Sequence, residues 1–169
     1  MRLFFLIIFC GSLCVGYGQS SGPRLPKDLV LEKAEDYREH EGLAKKCAAW
    51  LINTPLDKEV KKRNELNAFV MMWFSGSPDY TLVIQSEALP FLADHEELLF
   101  PFIHGMGLYV LGHPQETDAV KLHAEGLKAV SIAVNSSKCV QKDKVLKSIL
   151  KAERRGKLTE LVESWLLAN

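Results

Sequence analysis

Leu98-Leu99-Phe100-Pro101-Phe102-Ile103-His104-Gly105-Met106-Gly107-Leu108-Tyr109-Val110-Leu111 is apolar on nearly every side. A helix that is hydrophobic all round is one that other helices surround. Spanning a bilayer takes about 20 predominantly apolar residues. This run is shorter and is interrupted by Pro101, His104, Gly105 and Gly107, so it predicts the central helix of a water-exposed bundle. Asp94 with Glu97 three positions on is an acceptable capping pair for a helix reaching Gly112. Pro101 is expected to kink that helix or to mark its true start.

Outward from this run the signals stay helical. Leu43, Cys47, Trp50 and Leu51 follow the i, i+4, i+7, i+8 spacing of one helix face, extended backwards by Val30, Ala34 and Tyr37, which predicts a first helix over 28–52. Thr54-Pro55 reads as a cap and a first-turn proline opening a second helix through Leu66, Phe69, Val70 and Trp73, ending at Ser75-Gly76-Ser77-Pro78. A short helix is expected from Pro78 toward Leu89, although Tyr80-Thr81-Leu82-Val83-Ile84 also has strand character. On the other side, Pro114 is expected to begin a helix carried by Val120, Ala124, Leu127, Val130 and Val134. Val145, Leu146, Ile149 and Leu150 predict a short helix stopped by Gly156, with Arg154 and Arg155 near its carbonyl end. Leu158, Leu161, Val162, Trp165 and Leu166 form the last amphipathic stripe.

The expectation is an all-α fold: an irregular bundle of six to seven helices occupying 28–169 as one domain. Paired helices of this kind also stack into repeats, and Pro55 to Pro90 comes near the tetratricopeptide period of about 34 residues. The flanking residues do not recur.

The N-terminus reads differently. Met1-Arg2 is a basic start, Leu3 to Gly16 is almost unbroken apolar sequence, and Gly16-Tyr17-Gly18 puts small residues at the −3 and −1 positions before Gln19. That pattern is a secretory signal peptide over 1–18, followed by a flexible lead-in over 19–27 rich in Ser, Gly and Pro. The expected location is therefore periplasmic or extracellular, where disulfides are allowed. Cleavage would leave two of the four cysteines, Cys47 and Cys139. They either pair, closing a long loop worth about 4 kcal/mol in the loop-entropy model, or are small buried hydrophobes.

The residues exclude more chemistry than they offer. His40, His95, His104, His113 and His123 are never three to five residues apart, so helical His-x-x-x-His metal pairs are absent. No His has Glu three residues before it, which removes the di-iron bundle pattern. There is no Cys-x-x-Cys, no Gly-x-Ser-x-Gly and no phosphate loop. No catalytic residue, metal ligand set or cofactor follows. His104, His113 and His123, with Tyr109, remain candidates for a site between helices. For His104 the alternative is a core histidine satisfied by a backbone carbonyl, with Gly105 and Gly107 allowing tight packing. Lys144, Lys147, Lys151 and Arg154 fall on one helix face, within a stretch from Lys138 to Lys157 holding eight basic and two acidic residues. This basic face either meets an anionic ligand or partner or is simply solvated.

The run Ala48-Ala49-Trp50-Leu51-Ile52-Asn53-Thr54-Pro55-Leu56, with Arg63, Asn67-Ala68-Phe69 and Trp73 through Pro78, resembles a family of small exported proteins of Bacteroidota that has no assigned activity. The similarity extends to Gly126-Leu127-Lys128-Ala129-Val130 and Gly156-Lys157-Leu158. It implies an envelope location and carries over no functional residue.

In the whole chain 21 basic residues balance 21 acidic ones, which excludes a globally basic nucleic-acid binder. The balance hides polarised segments. Gln19–Arg63 has ten basic and eight acidic residues, Asn64–Val120 has eight acidic residues and no Lys or Arg, and Lys121–Asn169 has ten basic and five acidic. Either the acidic middle folds against the basic final third, or the protein presents two faces of opposite sign. The expected function is a non-catalytic, exported binding or interaction module whose partner is another envelope protein or an anionic ligand. The alternative is a ligand- or metal-carrying protein, or an enzyme, with its site near His104, His113 and His123.

Overall fold

The computed structural model describes residues 22–168, and the proposed leader over 1–18, with residues 19–21, lies outside them. The described residues form six α-helices and no strand: α1 (Ala34–Asn53), α2 (Val60–Gly76), α3 (Leu99–Gly112), α4 (Ala119–Ser136), α5 (Lys144–Arg154) and α6 (Leu158–Leu166). Three short 3-10 turns, Ser86–Ala88, Pro90–Ala93 and Glu96–Leu98, lead into α3. An all-α irregular bundle is thus what the chain builds. Helices of 20, 17, 14, 18, 11 and 9 residues do not repeat one unit.

As its apolar surface requires, α3 is central. It packs most extensively on α4 and also on α1. One apolar cluster joins α3 to α4, α5 and α6 through Phe102, Met106, Leu127, Val130, Leu146 and Val162. A second joins α1 to α2 through Cys47, Leu51, Leu66, Phe69 and Trp73, and takes Leu111 from the end of α3. The α3–α4 contact is close because two glycines meet it. A Cβ at Gly105 would stand 2.7 Å from Ala129 Cβ and from the Glu125 carbonyl oxygen, and one at Gly126 would stand 2.6 Å from the Phe102 ring.

Several helix starts differ from the sequence expectation, each for a local reason. Helix α1 begins at Ala34 rather than 28, because Asp36 Oδ2 accepts the Glu32 and Lys33 amides, both at 2.9 Å. A carboxylate there satisfies first-turn donors and suits the helix dipole. The preceding segment is not a free lead-in from residue 22 onward. Gly22 is buried against the Trp50 ring, its carbonyl accepts from Lys62 Nζ at 2.7 Å, and Leu25, Leu29 and Leu31 pack on the second cluster.

Thr54 and Pro55 do not open α2, which starts at Val60 after Glu59 in the left-handed region, φ 51°. Their carbonyls are instead used to close the end of α1, as described below. Pro114 follows α3 as a terminator, and α4 starts at Ala119 where Asp118 Oδ1 accepts from the Val120 amide at 2.9 Å and the Lys121 amide at 3.3 Å, the expected behaviour of an N-cap carboxylate. Pro101 is the third residue of α3, inside the first turn, where its missing N–H costs nothing. Residues 78–85 bend at Pro78-Asp79 and form neither helix nor sheet. Gly156, φ +65°, stops α5 as expected, and the Lys157 amide returns to the Ala152 carbonyl at 2.9 Å. No helix among the described residues is long and apolar enough to cross a membrane.

Candidate functional site

The candidate histidines do not converge. His104 and Tyr109 are five residues apart on α3, about 140° round the helix axis, so they leave it in different directions. His104 is 1% exposed and stacks on Phe100, ring centroids 6.1 Å apart. Burial, helped by the nearby Arg63 charge, pushes its pKa down to about 3. Its Nε2 has no hydrogen-bond partner. It is a neutral core imidazole with that nitrogen left unsatisfied. His123, also buried, is fully used: Nδ1 lies 2.6 Å from the Ala119 carbonyl and Nε2 accepts the Gln85 amide at 3.0 Å. With Nδ1–H donating and Nε2 accepting, the ring ties the irregular segment 78–85 to α4. That is a structural role.

His113 and Tyr109 do come together. They are one turn apart, and their rings stack with centroids 4.1 Å apart and an interplanar angle of 16°. His113 Nδ1 lies 3.0 Å from the Tyr109 carbonyl. Lys121, paired with Glu116 at 2.6 Å, reaches over the Tyr109 ring. Tyr109 and His113 form one wall of a cleft of about 350 Å³ between the end of α1, α3 and α4. Its floor is apolar, from Ile52, Leu108, Ala129 and the half-exposed Ile132, and includes Gly105. Its rim is polar: Asn53, His113, Glu125 and Lys128, the last two joined at 2.6 Å. Such a surface holds an apolar group by desolvation and orients a polar one at the rim. It has no nucleophile and base in contact.

Two residues that belong to no sequence motif, Arg63 and His95, are central to the polar interior. Arg63 is 6% exposed and carries its charge into the second cluster. Its guanidinium donates to the carbonyls of Leu51 (3.1 Å), Thr54 and Pro55 (3.2 Å). Leu51 is one of the orphan acceptors at the end of α1, Thr54 is its C-cap and Pro55 the residue after, so Arg63 of α2 caps the helix before it. Burial pulls its pKa below the usual arginine value, opposed by the sulfur of Cys139 nearby. The signal was its place three residues before Leu66 on an apolar stripe. His95, 6% exposed, sits between two carboxylates, with Nδ1 3.4 Å from Glu97 Oε1 and Nε2 3.5 Å from Asp143 Oδ2. No spacing rule finds it, because Asp143 is 48 residues away in the chain.

The cysteines do not pair. Cys47 is buried in the α1–α2 cluster, where burial pushes its thiol up to about 11, while Cys139 is exposed in the loop before α5. Of the two alternatives, the buried hydrophobe describes Cys47 and neither describes Cys139, which is a free thiol facing solvent. On α5, Leu146 and Ile149 point inward and Lys144, Lys147, Lys151 and Arg154 are all exposed. None of the four joins an ion pair among the described residues. No group of three or more His, Cys, Asp or Glu side chains among the described residues is placed to hold a metal ion. Compared with family models, with curated proteins and with solved structures, the chain matches none.

Proposed function

We propose that this chain is an exported helical binding module, without catalysis of its own, that engages its partner at the α1–α3–α4 cleft. The observation that carries the reading is the cleft's make-up: an apolar floor open to solvent at Ile132, an aromatic wall of stacked Tyr109 and His113, and a charged rim. Exposed apolar surface ringed by polar groups is the usual form of a recognition site. The leader-like residues 1–18 and the resemblance to small exported proteins support the envelope location. The partner that fits is an apolar or aromatic side chain, or a small ligand, bearing a polar end for Lys128 or Asn53.

The test is capture from an envelope extract by the immobilised native protein and by an Ile132→Lys variant. The expected result is a component retained by the native chain and lost with the variant. A native protein that stays monomeric and retains nothing, or retains the same component as the variant, overturns the reading.

A further inference from the structure

Helix α5 contributes no residue to the α1–α3–α4 cleft, and its outer face carries a pattern of its own. Lys144, Lys147, Lys151 and Arg154 advance by three, four and three residues. At 3.6 residues per turn and 1.5 Å per residue they form one ridge, within an arc of about 80° and over about 15 Å of helix. All four are exposed, and none joins an ion pair among the described residues. The acidic residues of this region are turned elsewhere. Asp143 Oδ1 accepts the Leu146 amide at 2.7 Å as the helix cap, and Glu153 lines a hollow with Ser131, Ile132 and Asn135 of α4. Asp94 and Glu97, which share a hollow with Lys142 and Asp143, bound the ridge at its N-terminal end. Beneath the ridge Leu146 and Ile149 are buried, so the helix holds the four cations in a fixed register.

We propose that this ridge binds a linear acidic polysaccharide, whose carboxylate or sulfate groups recur along one chain. Successive cations stand about 4.5–6 Å apart along the helix axis, close to the length of one pyranose unit. An extended acidic polypeptide brings its same-face carboxylates about 6.6–6.8 Å apart and falls out of step over four contacts. A bilayer surface is a plane rather than a line, and α5 has no exposed large apolar side chain to enter it. Readers of nucleic acid add aromatic or amide side chains for the bases, and α5 has neither. Each contact releases counterions from the polyanion, so the affinity falls as salt rises. The ridge is separate from the cleft, and its behaviour does not depend on what the cleft binds.

The experiment titrates end-labelled polygalacturonate and dextran sulfate with the native protein at low salt and reads fluorescence anisotropy. Uncharged dextran, polyglutamate and vesicles of equal parts phosphatidylcholine and phosphatidylglycerol serve as the other arms. Both acidic polysaccharides are expected to bind, more tightly than polyglutamate or the vesicles, and dextran is expected not to bind. Amide shifts in nuclear magnetic resonance spectra of the native protein should concentrate on α5. Replacing Lys144, Lys147, Lys151 and Arg154 together by Gln changes only exposed side chains and should weaken binding on the order of tenfold. Replacing Lys45, Lys46, Lys58 and Lys61 by Gln alters net charge equally and should weaken it far less. No binding of either acidic polysaccharide, equal losses in the two variants, shifts centred outside α5, or tighter binding of polyglutamate or vesicles overturns the proposal.

Discussion

His104 shows how one buried side chain sets a pH dependence for the whole domain. Its pKa falls from 6.5 to about 3 on folding, chiefly because burial penalises the charged ring. Below pH 6.5 the unfolded chain takes up a proton there that the folded chain refuses, so stability drains away as pH falls toward 3. At pH 4 the loss is about 3 kcal/mol. Urea unfolding of the native protein and of His104→Gln at pH 7 and pH 4 checks this. The native protein should lose about 3 kcal/mol more than the variant between the two pH values, and parallel losses would refute it. His104 was legible in the sequence as a residue to single out, and the greasy run around it already favoured a core position. What the run could not show is that Nε2 would go unpartnered, because that depends on what α1 and α2 bring against it. The same holds for Arg63: its three carbonyl partners belong to the end of another helix.

Among the elements, the glycines of α1 and α3 separate propensity from packing. Gly42 is exposed within α1 and a Cβ there meets nothing within 4 Å. Gly42→Ala should therefore stabilise the protein by roughly 0.5–1 kcal/mol, the ordinary helical gain over glycine. Gly105 stands at the α3–α4 contact, where the added carbon would meet a backbone carbonyl and Ala129 at 2.7 Å. Gly105→Ala should cost about 1–3 kcal/mol as the helices are forced apart. Thermal unfolding of both variants tests the contrast, and equal shifts would refute it. Helix existence was readable throughout because periodicity is local. Helix starts were less so: Thr54-Pro55 carries a legitimate start signal, yet its carbonyls are taken by the Arg63 cap, and Pro114 gives way to the N-cap carboxylate of Asp118. For the irregular segment 78–85 no local rule sufficed, since it is held by Arg38–Asp79 at 2.8 Å, Tyr80–Glu41 at 3.0 Å and the His123 bond.

For the whole molecule the charge balance resolves into faces. Of the acidic residues between 64 and 120, Asp79 pairs with Arg38, Glu116 with Lys121, and Glu97 faces His95. None reaches Lys144, Lys147, Lys151 or Arg154, so the basic face of α5 is not neutralised by the acidic middle. A neutral protein with such a face should bind a sulfonate cation-exchange matrix at low salt. Replacing the four α5 cations by Gln should lower the eluting salt concentration more than replacing Lys45, Lys46, Lys58 and Lys61, which changes net charge equally. Identical shifts would show that only net charge matters.

The sequence by itself determined the all-α class, the central place of α3, the stop at Gly156 and the absence of local metal or nucleophile motifs, because each rests on spacing within one or two turns. Tertiary structure alone decided which candidates share a site. It joined Tyr109 and His113 to Ile132 across two helices, sent His104 and His123 into separate interiors, and set His95 beside Asp143 and Cys139. Such groupings depend on helix rotation and crossing, which are fixed by close packing at Gly105 and Gly126 rather than by any pattern along the chain.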